Sequence, residues 1–116
     1  MDKQTLAMDR EAQIRALSSP VRMTILRLLA DPDANFPDQW SADPGTEGVC
    51  MSLIARAIDV KPPTASRHID ILRQAGFLTV TRIGKWGHCT RNEDAIREYL
   101  AWVAANLELL ESRRRD

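Results

Sequence analysis

Residues 61–68 read Lys-Pro-Pro-Thr-Ala-Ser-Arg-His, which places an ammonium, two hydroxyls, a guanidinium and an imidazole within eight positions. These groups do not make an acid–base pair or an activated nucleophile. They form a set of hydrogen-bond partners suited to phosphate oxygens and base edges. Arg67 can grip a guanine or a phosphate through two parallel N–H donors. Thr64 and Ser66 can serve either target with less force, His68 suits a phosphate or an adenine, and Ala65 is small enough to turn inward between them. A second basic cluster, Arg82, Gly84 and Lys85, follows about fifteen residues on, and Arg73 lies between the two. Lys85 and Arg82 are expected to supply sequence-independent attraction to a polyanion.

The formal net charge is zero, but the charges are segregated. Between residues 61 and 91 stand six cations (Lys61, Arg67, Arg73, Arg82, Lys85, Arg91) against one acid, Asp70, whereas residues 31–47 hold five acids and no base. Local charge, not the total, decides whether a surface meets phosphate. One lobe of this chain is suited to that meeting and the acids lie elsewhere.

The elements that position these groups follow from apolar spacing and punctuation. A first helix is expected over 5–17, with Leu6, Ala7, Ile14 and Leu17 on one side. Ser19 then stands as N-cap and Pro20 at the first position of a second helix, which carries Val21, Ile25, Leu28 and Leu29 inward and ends at Asp31-Pro32. Residues 31–47, with three prolines and a glycine, read as a long acidic loop anchored by Phe36 and Trp40. A short third helix is expected from Met51 to Ile58, with Leu53, Ile54, Ala57 and Ile58 inward. After the turn Asp59-Val60-Lys61, a fourth helix opens on Pro62-Pro63 and ends at Gly76. Ala65, Ile69 and Leu72 lie on its buried face, and Thr64, Arg67, His68 and Ile71 on its outer face. Residues 77–83 and 86–91 alternate as two strands about a Gly84-Lys85 turn, with Trp86 packing under the hairpin. The last helix spans 92–111, with Ile96, Tyr99, Leu100, Val103, Leu107 and Leu110 at intervals of three or four. Residues 112–116, which include Arg113, Arg114 and Arg115, form a tail.

A helix, a tight turn, a second helix and a hairpin make a winged helix-turn-helix. The expected fold is therefore a single domain over 1–116, mainly α with a small β-hairpin wing. It has five helices, a short strand before the third and the wing (77–91) before the fifth. Residues 51–75 are the helix-turn-helix. No Gly-rich phosphate loop, nucleophile elbow or Ser/His/Asp trio is present, which argues against an enzyme. No cofactor or metal is called for. The chain lacks a signal-like or membrane-spanning apolar run, which makes the cytoplasm the expected location. A winged helix that binds only protein would be expected to carry a neutral or acidic recognition helix.

Residues 49–91, together with SPVRMTILRLL at 19–29, resemble the arsenic-repressor (ArsR/SmtB) family of bacterial winged-helix regulators. The stretches carrying the resemblance are P-T-A-S-R-H-I-D-I-L-R-Q-A-G-F-L across the recognition helix and R-I-G-K-W through the wing. It extends over about residues 14–100, apart from the 31–47 loop, and departs from the family at Lys61-Pro62, where a Ser-Gln pair is usual. The resemblance implies a homodimer built from the first and last helices, binding a palindromic operator in duplex DNA and acting as a repressor. Leu6, Ile14, Tyr99, Trp102, Val103, Leu107 and Leu110 are the expected dimer surface. The inducer is not legible.

Relatives often place a Cys-x-Cys metal site at the start of the third helix, where this chain has Cys50-Met51-Ser52. Others use His and Asp on the last helix, and residues 92–111 contain no His. Pairing of the strand before the third helix with the wing would set Cys50 near Cys89, with His88 adjacent. Two packed thiols, a thiol-redox pair and a metal site of Cys50, His88 and Cys89 are the alternatives there.

Overall fold

The computed structural model describes residues 9–107. Leu6 and Leu110, expected at a dimer surface, and the 112–116 tail lie outside the described residues. The helix α1 (Arg10–Leu17) starts where the Asp9 carboxylate accepts the Ala12 N–H. In α2 (Pro20–Leu28) the Ser19 hydroxyl accepts the Arg22 N–H and Pro20 takes the first helical position, where its missing N–H is not needed.

The acidic 31–47 segment is not a continuous loop, as its composition suggested. It contains two one-turn helices, α3 (Pro32–Asn35) and α4 (Pro44–Glu47). Each opens on an Asp-Pro pair, the same start that Ser19-Pro20 gives α2. Asp31 also caps α3 through its side chain. Phe36 is buried as expected, whereas Trp40 is 83% exposed and anchors nothing in the core.

Next come β1 (Val49–Cys50), α5 (Met51–Ala57), α6 (Pro62–Gln74), β2 (Leu78–Ile83), β3 (Trp86–Arg91) and α7 (Glu93–Leu107). The three strands form one antiparallel sheet in the order β1-β3-β2. Val49 pairs with Cys89 and Cys50 with His88, while the hairpin runs in register from Leu78 opposite Arg91 to Ile83 opposite Trp86. Gly48, at φ 96°, lets β1 come this close: a Cβ there would stand 2.9 Å from the Cys89 carbonyl oxygen and 2.7 Å from the Thr90 hydroxyl.

Ile25, Ile54, Ile69, Leu72, Phe77 and Leu78 make the centre of the core, enclosed by Ala16, Val49 and Cys89. In α5 it is Ala55 that turns inward with Ile54, and Ala57, expected inside, is exposed. Ile71, expected outside, is half-buried against the core. Tyr99 is buried in its own protomer, edge-on to Phe77 at 5.4 Å between ring centroids, so it is not a dimer-surface residue as expected. Trp102 leans on Tyr99 and lies beneath the Arg10 guanidinium, 4.7 Å from its ring centroid. Arg10 also holds Glu98 in a two-pronged pair that ties α1 to α7. The resulting hydrogen bond is the main cause that keeps the Glu98 carboxyl below its ordinary range.

Candidate nucleic-acid interface

Packing sets the orientation of α6. Ala65, Ile69 and Leu72 are buried at spacings of four and three, which commits one face of the helix to the core. The opposite face then carries Lys61, Thr64, Ser66 and Arg67 into solvent at its N-terminal end. The turn before it, with Asp59 in the left-handed region at φ 57°, is closed by the Val60 N–H donating to the Ala55 carbonyl. That turn fixes α6 against α5.

The hairpin holds the second cluster. Gly84 and Lys85 form its two-residue turn, and the positive φ of Gly84 (64°) is the reason for glycine there, since a Cβ would meet nothing within 4 Å. Arg82 and Lys85 are exposed, and the Lys85 ammonium lies 5.4 Å from the centroid of the Trp86 ring. Among the described residues, Lys61, Arg67, Arg82 and Lys85 form no ion pair.

The other two cations of the basic stretch are occupied. Arg73 donates to Asp70 through Nε and Nη2, the shorter contact being 2.6 Å. Arg91 pairs with Glu93 and donates to the Leu26 carbonyl at 3.0 Å, so it clamps the wing's base to α2. Arg73, expected at the interface, is thus partly neutralised by its neighbour one helical turn back.

His68 also differs from expectation. Its ring is half-buried and faces α2, with Nδ1 3.2 Å from Arg22 Nη1. A guanidinium only donates, so Nδ1 accepts and the ring proton sits on Nε2. Burial first, then the charges of Arg22 and Arg67, pull its pKa below the histidine norm. His68 is therefore a neutral positioning residue at this junction and not an outward imidazole.

Its partner Arg22 was not singled out by sequence reasoning. The guanidinium donates to the Ala16 carbonyl at 2.7 Å, to the Arg15 carbonyl at 3.0 Å and to His68. One side chain thus caps the end of α1 and ties α2 to the recognition helix. A cation near the C-terminal carbonyls of a preceding helix is a recognisable cap signal, but its tertiary partner is not visible in one dimension.

Beside the wing, the 36–41 segment braces the sheet. Gln39 donates to the Ala42 and Gly48 carbonyls and accepts the Cys50 N–H at 2.7 Å. The Ser41 hydroxyl lies 2.9 Å from Nε2 of His88, whose Nδ1 is 3.3 Å from the Trp86 carbonyl. That oxygen can only accept, which puts a proton on Nδ1; in the neutral ring Nε2 then accepts from Ser41. Trp86 is not packed under the wing as expected. It stands at the surface, edge-on to Trp40 at 6.4 Å.

Cys50 stands opposite His88 and Cys89 opposite Val49, so the two cysteines are offset by one residue across β1 and β3, and both are buried free thiols. Burial chiefly, with the nearby Cys50 adding to it, pushes the Cys89 thiol up to about 12. A thiol so far from ionising is a poor nucleophile at neutral pH in the folded chain. Among the described residues no group of three or more His, Cys, Asp or Glu could hold a metal ion, and His88 has both nitrogens engaged within the fold.

Comparison with known proteins agrees with this geometry. Residues 17–81 match the model of a helix-turn-helix domain, which covers more than half of the chain. The chain belongs to the helix-turn-helix family. Within that family it is 39% identical, over 82 residues, to the HTH-type transcriptional regulator YbzH of Bacillus subtilis, a match covering 71% of this chain and 82% of that protein. The fold is shared with the ArsR family transcriptional regulator RHA00566, at a TM-score of 0.65 and 22% identity over 87% of this chain and 94% of the other. It is also shared with the homodimeric winged helix-turn-helix DNA-binding domain of Mb0332 from Mycobacterium bovis. There the TM-score is 0.60 and the identity 25%, over 91% of this chain and 87% of that one. This helix-turn-helix chain is thus an HTH-type transcriptional regulator, and it shares its winged fold with ArsR family regulators.

Proposed function

We propose that the protein is a homodimeric repressor that binds a palindromic operator in duplex DNA, with α6 in the major groove and the wing against the neighbouring backbone. The observation that carries this reading is the split character of α6. One face is locked into the core, while Lys61, Thr64, Ser66 and Arg67 stand exposed, with neither cation in an ion pair among the described residues. The major groove is wide enough to take a helix, and its guanines present O6 and N7 to a guanidinium such as that of Arg67. Arg82 and Lys85 at the wing add backbone attraction. Arg73 stands beside this surface, held by Asp70.

Dimerisation uses α1 and α7. Ile14 is 48% exposed, Leu100 58% and Leu107 70%, and Leu100, Val103 and Leu107 share one side of α7 at spacings of three and four. Covering such a stripe contributes about 25 cal/mol per Å² of apolar area before association costs. Leu100 joins the interface in place of the buried Tyr99, with Trp102 at its margin. Two-fold symmetry then sets two α6 helices about one DNA turn apart. No helix among the described residues is long and apolar enough to cross a membrane, which suits work in the cytoplasm. The protein binds DNA without being an enzyme.

The test is selection of bound fragments from the source genome by the full-length protein, followed by anisotropy titration of the enriched sequence. Inverted repeats should be recovered, and Arg67→Ala should weaken the best site by about 1–3 kcal/mol. Recovery of no enriched sequence even at low salt would remove this reading and leave a protein-binding adaptor in its place.

A further inference from the structure

The bracing segment, the wing and the first helix of the helix-turn-helix enclose a cleft of about 440 Å³, within the range of small-molecule sites. Its aromatic and apolar walls are Phe36, Trp40, Trp86 and Leu53. Trp40 and Trp86 meet edge-on at 6.4 Å, and Trp40 is 83% exposed, so it contributes little to the fold that holds it. A large apolar ring left open to water beside a second one is a surface suited to a planar guest.

The polar wall comes from α5. Ser52 and Arg56, one helical turn apart, both line the cleft, and Arg56 is exposed and forms no ion pair among the described residues. A guanidinium and a hydroxyl at this spacing can take a carboxylate, the first by two parallel N–H donors and the second by its O–H. Asp38, exposed like Arg56, also lies in the wall and forms no ion pair with it.

We propose that this cleft is a binding site for a small planar aromatic carboxylate. The ring lies against Trp40 and Trp86, and the carboxylate is held by Arg56 and Ser52. Such a guest would touch both parts of the DNA-reading apparatus. Trp86 closes the wing opposite Ile83 and lies under Lys85, and α5 packs on α6. Occupancy therefore alters DNA affinity. That regulatory half rests on the DNA-binding reading; the binding half does not.

The test uses full-length protein without DNA and 2-naphthoate as probe, followed by the indole N–H signals in ¹H–¹⁵N NMR. Trp40 and Trp86 should shift saturably, and Trp102, on α7, should stay in place. Arg56→Gln and Trp40→Ala should each weaken binding about tenfold, on the scale of one charge-assisted hydrogen bond. Both side chains are exposed, so folding should be intact. The neutral 2-naphthamide should bind correspondingly less well. Absence of a saturable shift, equal binding of acid and amide, or preference for 2-naphthylmethylammonium through Asp38 would overturn the site. Adding the probe to a DNA titration should then change affinity at least threefold in the native protein and not in the Arg56→Gln protein. An unchanged affinity would overturn the regulatory half alone.

Discussion

Salt titration of DNA affinity reads the number of cations that meet phosphate, and the proposed interface implies a definite value for it. Four side chains per protomer, Lys61, Arg67, Arg82 and Lys85, are exposed in the basic stretch and form no ion pair among the described residues. Two protomers bring eight. Each phosphate neutralised on duplex DNA contributes about −0.9 to the slope of log K against log salt, which gives about −7 as the limit when all eight engage. Affinity should then fall by roughly four orders of magnitude between about 50 and 200 mM salt. Lys85→Gln removes two charges from the dimer and should flatten the slope by about 2, with equal effect on specific and unrelated DNA. Arg73→Gln should flatten it much less, because Asp70 already compensates that guanidinium at 2.6 Å. Fluorescence anisotropy on a labelled duplex at five or six salt concentrations measures all three. A native slope shallower than about −3, or a Lys85→Gln slope equal to the native one, would refute the count and the placement of the wing on DNA.

Other consequences concern the scaffold. Arg22→Met removes the donors to Ala16, Arg15 and His68 and should cost about 2 kcal/mol, seen as a lower urea midpoint. His68 has a lowered pKa in the fold, so the unfolded chain binds more protons. Stability is then full above the ordinary histidine value near 6.5 and is lost as pH falls through it, and His68→Gln should abolish that dependence in urea titrations at pH 5 to 8. Cys89, with its thiol pushed up to about 12, should resist iodoacetamide at pH 7.5 until the chain is unfolded; rapid modification located by peptide mass would contradict its burial. Leu107→Asp, at an exposed site, should give folded monomers with weak DNA binding, and an intact dimer in sedimentation would place the interface elsewhere.

Local signals made most of the fold legible. Ser19-Pro20 and Gly76 punctuate the helices where they stand, Gly84-Lys85 turns the wing, and Ala65, Ile69 and Leu72 bury the expected face. The expected pairing of the strand before the third helix with the wing is present, in a register that sets Cys50 opposite His88 and Val49 opposite Cys89. Asp31-Pro32 and Asp43-Pro44 carried the same cap-and-proline signal as Ser19-Pro20, but the density of proline and acid around them reads as loop. What periodicity could not resolve was which neighbour a side chain meets. Tyr99 and Leu100 are consecutive in one amphipathic helix, yet Phe77 claims Tyr99 for the core and leaves Leu100 outside. His68 lies at an outward position by spacing, and only the tertiary approach of Arg22 turns it into a junction. Trp40 and Trp86, 46 residues apart, reveal their pairing only when the 36–41 segment folds back on the wing.

Contact mapping on the enriched duplex tests the α6 assignment most directly, by hydroxyl-radical footprinting combined with interference from guanine N7 methylation. Two protected patches about one helical turn apart, ~34–36 Å, are expected, with methylated guanines in the facing major grooves blocking binding. Arg67→Ala should relieve that block. Protection confined to the minor groove, or interference unchanged by loss of Arg67, would contradict the placement of α6 in the major groove.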